Sequence, residues 1–303
     1  MNGIINVLKP PGMTSHDVVS YIRKVLNMKK VGHTGTLDPE AAGVLPVCAG
    51  KATKVVQYLT DKQKKYRANI KFGTVTDTYD SYGEIIKKDA SVAIDREALE
   101  DILKSFKGPT SQKPPVYSAL KVNGKKLYQY ALEGKEVQIS ERPIEIYELE
   151  LADMLSENEA IIDVSCSKGT YIRSLCYDIG EALGCGAYMS QLIRLGSSPF
   201  TIEDSHTLEE IKAAAEENRL SDVLMSVEIL FRDYKSITVK PSAVGSIMNG
   251  NPLFEQGVLK GFEGLSENDD LCIYGEDGFI GIGNVRYDAA NRRLYVKTKN
   301  IFI

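Results

Sequence analysis

The chain has 303 residues, 43% of them apolar and 26% charged, which is enough to bury two cores and too evenly mixed for a fibrous or disordered protein. No apolar run approaches a membrane span, and the first eleven residues lack the charged start and apolar stretch of a secretion signal, so a cytoplasmic protein is expected. A net charge of −4 argues against a generic nucleic-acid binder, but residues 1–72 hold twelve Lys and Arg against four Asp and Glu, a local +8, which leaves −12 for the remainder.

Charge stays uneven further along. Lys113 to Arg142 carries six basic and three acidic residues, whereas Glu203 to Asp233 carries three basic and nine acidic, so a polyanion would meet two segments and avoid the third. The cysteines Cys48, Cys166, Cys176, Cys185 and Cys272 are scattered without a Cys-x-x-Cys pair, which suits reduced thiols. His16, His33 and His206 share no metal-ligand spacing with each other or with a cysteine, so a structural or catalytic zinc is not expected. The chemistry is left to carboxylates, hydroxyls and cations.

In chain order, Ile4 to Leu8 reads as a strand. Thr14 or Ser15 then caps a helix whose apolar positions are Val18, Val19, Ile22, Val25 and Leu26. Tyr66 to Phe72 alternates as a strand does, and Asp95 to Phe106, closed by Gly108, is an amphipathic helix. Asn123-Gly124 between Ser118–Val122 and Lys125–Tyr130 is a type I′ hairpin signal, predicting a basic, protruding insertion. Strands follow at Ile144–Leu151 and Ala160–Cys166, then helices at Tyr171–Leu183 and Leu208–Asn218. From about Lys235 short β runs take over, including Leu271–Tyr274, Phe279–Val285 and Leu294–Thr298, which predicts a small β domain after an α+β one with an antiparallel or mixed sheet.

One segment concentrates polar groups in a glycine-rich loop: Gly32-His33-Thr34-Gly35-Thr36-Leu37-Asp38-Pro39. An isolated Asp-Pro reads first as a turn, and Asp38 on its own is compatible with that. Together with Ala42-Gly43-Val44-Leu45-Pro46, however, the segment resembles the central motif of the TruB family of pseudouridine synthases. Other matching segments occur in order. They are Leu8-Lys9-Pro10-Pro11-Gly12-Met13-Thr14-Ser15, Lys65-Tyr66-Arg67, Thr76-Asp77-Thr78-Tyr79-Asp80, Tyr117-Ser118-Ala119-Leu120-Lys121, Lys168 to Leu175, and Gly184 to Ala187 leading to Leu192-Ile193-Arg194-Leu195. The resemblance spans about residues 3 to 200.

The resemblance implies a pseudouridine synthase fold over residues 1–232, with an RNA-clasping insertion at about 114–142 and a PUA-like RNA-binding domain over 235–303. It implies isomerisation of uridine 55 in the T-loop of tRNA, without cofactor or protein partner, by a chain expected to act as a monomer. Asp38 would be the essential carboxylate, acting as nucleophile at ribose or base or as an electrostatic stabiliser. Arg173 would pair with it, and Tyr66 would stack on the target base and take part in proton transfer. His33 would fill the place of the flipped base, and Tyr171 and Leu192 would line the pocket. Lys121, Lys125 and Lys126 would meet phosphates, while the C-terminal domain would grip the acceptor end. Two other functions fit parts of the pattern: a guide-dependent synthase of the dyskerin type, and a tRNA-binding or tRNA-folding protein.

Overall fold

A computed structural model describes residues 1–89 and 91–303. Strand β1 (Gly3–Lys9) leads into helix α1 (Ser15–Val25), where Thr14 and Asp17 close a capping box and Val18, Val19 and Ile22 are buried. Strands β2 (Val31–His33) and β3 (Ala42–Ala49) flank the loop that holds Asp38, and a short helix α2 (Val56–Thr60) precedes strand β4 (Lys64–Phe72). A small hairpin, β5 (Thr74–Thr76) and β6 (Ile85–Lys88), is followed by helix α3 (Arg96–Ser105), capped by the Asp95 carboxylate. Strand β7 (Gly108–Gln112) comes next, then the insertion with β8 (Lys121–Val122), β9 (Lys125–Lys126) and helix α4 (Leu127–Leu132). Strands β10 (Arg142–Ser156) and β11 (Glu159–Cys166), helix α5 (Ile172–Ala182), strands β12 (Ala187–Ser197) and β13 (Phe200–Thr201), and helix α6 (Leu208–Glu216) complete the larger part.

The central sheet runs β1-β3-β12-β4-β11-β10-β7, with β2 added to β3 and β13 to β12. Its pairs are antiparallel except β3 with β12, where Ala42 and Gly43 lie parallel beside Ile193 and Arg194. On β4, Lys64, Tyr66, Ala68, Ile70 and Phe72 alternate into the interior, the period-2 pattern expected of that segment. The insertion joins neighbouring strands, since Gln112 at the end of β7 pairs with Arg142 at the start of β10.

Two readings of the insertion part company here. Asn123 and Gly124 take φ of 52° and 82°, as a type I′ turn needs, and Lys121–Val122 pairs with Lys125–Lys126. The expected strand Lys125–Tyr130 stops at Lys126, however, and Leu127 begins a helix with Leu127 buried beneath it. The Gln129 side chain accepts from the Lys126 backbone N–H at 3.1 Å, a local cap that ends the ladder after two residues. Strand β12, at the heart of the sheet, was not anticipated as a strand at all.

The remaining chain forms a C-terminal β-rich domain. Strands β14 (Lys235–Val239), β15 (Val258–Lys260), β16 (Asp270–Gly275), β17 (Gly278–Asp288) and β18 (Arg293–Ile301) order as β15-β14-β16-β17-β18, with an unanticipated helix α7 (Pro241–Met248) between β14 and β15. Ile237, Val239, Ile273, Val285 and Val296 bury its own core. A second cluster crosses to the larger part: Cys272, Ile282 and Phe302 pack with Ile4, Val44, Cys48 and Phe231. Among the described residues no helix is long and apolar enough to cross a membrane.

Candidate active site

The loop from Thr34 to Ala41 has no regular ladder of its own, so its backbone groups must be satisfied from outside. The Ser15 hydroxyl takes the Leu37 N–H at 2.9 Å and donates to the Leu37 carbonyl at 3.2 Å. Lys9 is fully buried, and its three ammonium protons meet three carbonyls: Pro10 at 2.8 Å, Pro39 at 2.7 Å and Ala41 at 2.7 Å. Burial pushes that ammonium down to about 8, opposed by the carboxylates of Glu40 and Asp38. Arg194, also buried, donates to the Val44 carbonyl at 2.6 Å and the Gly35 carbonyl at 3.2 Å. Gly43 is required beside it: at φ 110° an added Cβ would stand 2.2 Å from the Arg194 carbonyl oxygen. Two buried cations and a buried hydroxyl thus fix both sides of Asp38.

Arg173, in the first turn of α5, reaches the same point. Its Nε stands 3.1 Å from one Asp38 oxygen and its Nη2 donates to the other at 3.4 Å, a two-pronged grip on the carboxylate. The guanidinium side chain is 7% exposed and the Asp38 side chain 42%, so the arginine is buried and the carboxylate faces the opening. Nη1 also lies 3.4 Å from an Asp80 oxygen and donates to the Thr78 carbonyl at 3.3 Å, while Nη2 donates to the Tyr117 carbonyl at 3.0 Å. One cation therefore joins two carboxylates and the base of the insertion.

Asp38 and Arg173 lie on a cleft of about 640 Å³ whose walls include Asp80, Tyr82, Tyr117 and Leu192. The cleft opens at the parallel junction of β3 and β12, where the loop enters one strand and Leu192 projects from the other. That volume suits a small ligand or a single nucleoside unit. Tyr66 is buried in the core behind the loop with Leu37 and Ala41, in register with Arg194 on β12. Burial pushes its hydroxyl pKa up, Arg194 opposes this, and Asp38 adds a smaller upward push.

The other residues singled out from sequence lie elsewhere. His33 ends β2, its Nδ1 accepting from the Gly35 N–H at 3.3 Å, and burial first of all lowers its pKa. Tyr171 precedes α5, its backbone held both ways by the Gln112 amide at 2.8 Å and 3.0 Å. Neither is among the cleft walls, and nor is Tyr66, which the core behind the loop keeps from presenting its ring to the opening. On the insertion Lys121 is exposed, Lys125 pairs with Glu133 and sits 4.9 Å over the Tyr130 ring, and Lys126 sits 5.5 Å over Tyr128. Lys9, Asp80, Tyr117 and Arg194 were not picked out as site residues. Each lies inside a quoted motif segment, so an ionisable or aromatic residue at such a position was the available signal.

Domain models of one family of pseudouridine synthases cover most of the chain, and the chain belongs to that family, TruB. The sequence model of the TruB family pseudouridylate synthase N-terminal domain matches residues 23–172, and that of the tRNA pseudouridylate synthase B C-terminal domain matches residues 173–232. The chain is 47% identical over 299 residues to tRNA pseudouridine synthase B of Alkaliphilus oremlandii, covering 98% of this chain and 97% of that one. It is 42% identical to the protein of that name from Clostridioides difficile, with each covered completely. Among solved structures it is similar to a Cbf5-Nop10-Gar1 complex, at 30% identity and TM-score 0.72, over 99% of this chain and 85% of that one.

Proposed function

We propose that this synthase converts uridine 55 in the T-loop of tRNA to pseudouridine unaided by guide RNA or partner protein. The observation that carries the reading is the Asp38 carboxylate, gripped on both oxygens by buried Arg173 and turned toward the cleft. The reaction is an isomerisation: the N1–C1′ bond breaks, the same base turns, a C5–C1′ bond forms, and the proton lost from C5 is balanced by one gained at N1. It consumes no redox equivalent, so a positioned carboxylate and a proton carrier suffice. Asp38 serves as the nucleophile at C1′ or at the base, or stabilises positive charge developing at C1′. Arg173 holds it aimed, and Tyr66, buried behind the loop, is the proton carrier.

The uridine must leave a folded loop to reach Asp38, at a cost of a few kcal/mol. In this reading His33 fills the vacated space, Leu192 lines the pocket, Tyr171 anchors the start of the helix that carries Arg173, and Lys121, Lys125 and Lys126 hold phosphates of the T-loop. The domain over residues 235–303 acts as a PUA-like grip on the acceptor end, and the whole works as a cytoplasmic monomer. The relatives above 40% identity carry tRNA in their names, which favours this over the guide-dependent alternative.

The test is incubation of the purified chain with a T-stem-loop transcript alone, followed by product analysis. Product formation is expected, and a requirement for a guide RNA or second protein would overturn the unaided reading. Asp38→Asn is expected to abolish product while leaving transcript binding within about tenfold, because the basic surfaces are untouched. Undiminished product from that variant would remove Asp38 from the chemistry. Trapping with a 5-fluorouridine transcript distinguishes attack by Asp38 from electrostatic assistance.

A further inference from the structure

Tyr82 is an exposed aromatic side chain that nothing in the proposed reaction uses. It is 69% exposed, yet it lies on the wall of the cleft that contains Asp38 and Arg173. A large ring at the entrance of a ligand cleft offers an apolar face that a bound ligand can cover.

Its mount is rigid. The Tyr82 backbone N–H donates to an Asp80 oxygen at 3.0 Å, and the same oxygen accepts from the Thr78 hydroxyl at 2.7 Å. The other Asp80 oxygen faces Arg173, so the turn that carries Tyr82 is tied to the guanidinium that grips Asp38. Gly83 seals the turn: an added Cβ would lie 2.3 Å from both the Asp77 carboxylate and the Thr78 hydroxyl. The turn is also latched to β12, the strand bearing Leu192, by Met189 N–H to the Tyr79 carbonyl at 3.0 Å and by the Ser81 hydroxyl to the Ser190 carbonyl at 3.3 Å. The backbone that carries the ring is therefore already fixed before anything binds.

We infer that Tyr82 is a stacking platform for an unpaired nucleobase next to the target uridine in the bound RNA loop. The reading rests on RNA as the substrate and adds a contact to it. The cleft chemistry selects a base over a phosphate here: the wall residues Asp38, Glu40 and Asp80 outnumber Arg173, so a neutral aromatic face is welcome where an anion is not. Flipping one nucleotide unstacks its neighbours, and a fixed aromatic face at the mouth replaces the contact they lose.

The experiment is a binding cycle between Tyr82 and the RNA. The dissociation constant of a T-stem-loop is measured for the full chain and for Tyr82→Ala, with intact RNA and with an abasic residue placed in turn on each side of the target uridine. Tyr82→Ala is expected to weaken binding of intact RNA about tenfold, and one abasic position to weaken the unaltered protein similarly; the two losses combined are expected to be no larger than either alone. Tyr82→Phe should restore the loss, since the ring and not the hydroxyl makes the contact. Additive losses at both positions, or an unaffected dissociation constant for Tyr82→Ala, would overturn the inference. Pseudouridine formation by the unaltered chain is checked first on the intact transcript. Its absence would sink the substrate assignment, whereas product with additive losses would sink only Tyr82.

Discussion

Arg173 carries one positive charge between two carboxylates, and its value lies in shape as much as in charge. Two parallel contacts fix the plane of the Asp38 carboxylate, a third nitrogen meets Asp80, and the Thr78 and Tyr117 carbonyls use donors that remain. A lysine would supply the charge without the fork. Arg173→Lys is therefore expected to lower the single-turnover rate on a T-stem-loop by about 100-fold, the scale of loss that follows from misplacing a reacting group by about an ångström. Transcript affinity should change far less, and an unaltered rate would show that charge alone suffices. At this scale the sequence was informative where motif and chemistry coincide. Asp38 and Arg173, from motifs 135 residues apart, do meet in space. Asp80 was not separable from its neighbours in Thr76–Asp80, because nothing local says which of two aspartates turns inward.

The loop from Thr34 to Ala41 is held by partners outside itself. The buried Lys9 ammonium is the plainest case, three donors for three carbonyls with none to spare. Lys9→Met leaves those carbonyls without their partner and is expected to cost about 2–3 kcal/mol in urea unfolding, with at least a tenfold loss of rate. The pH dependence has a definite sign. Burial lowers the pKa of Lys9 from its ordinary value to about 8, so the ammonium is intact below that pH and sheds a proton as pH rises through it. The neutral amine keeps two N–H groups for three acceptors, the loop loosens, and activity should fall along an alkaline limb centred near pH 8. A rate profile flat from pH 7 to 9.5 would count against this. Element type was legible wherever periodicity was clear, as in α1, β4 and α3. It failed at Lys125–Tyr130, where a true hairpin turn masked the helical spacing of the residues after it, and at β12, whose burial alternates irregularly because register shifts interrupt it.

Across the whole molecule, the larger α+β part and the C-terminal β domain are distinct in sheet topology and each has a core of its own, but one further core is common to both. Phe302 lies 5.8 Å from Phe279 within the second sheet and 6.4 Å from Phe231 in the segment that closes the first. The Asn2 amide donates to the Phe302 carbonyl at 2.9 Å, joining the two ends of the sequence. A core common to both sheets should make them unfold together. Calorimetry is expected to give one transition, and Phe302→Ala to destabilise the whole chain by about 3–5 kcal/mol. Two resolved transitions, with only one moved by the substitution, would show the sheets to be independent.

The sequence by itself determined the two β-containing regions, most helices, the basic character of the insertion, and through ordered motifs the family. Those properties are local, or are carried by residue types at fixed spacing. Tertiary structure alone decided that Lys9 and Arg194 are buried, that Arg173 serves two carboxylates, that His33 and Tyr171 stand off the cleft wall, and that Tyr82 stands on it. A buried cation is tolerable only where carbonyls from distant segments converge on it. A cleft wall exists only after the parallel pairing of β3 and β12 has brought the loop and the strand together.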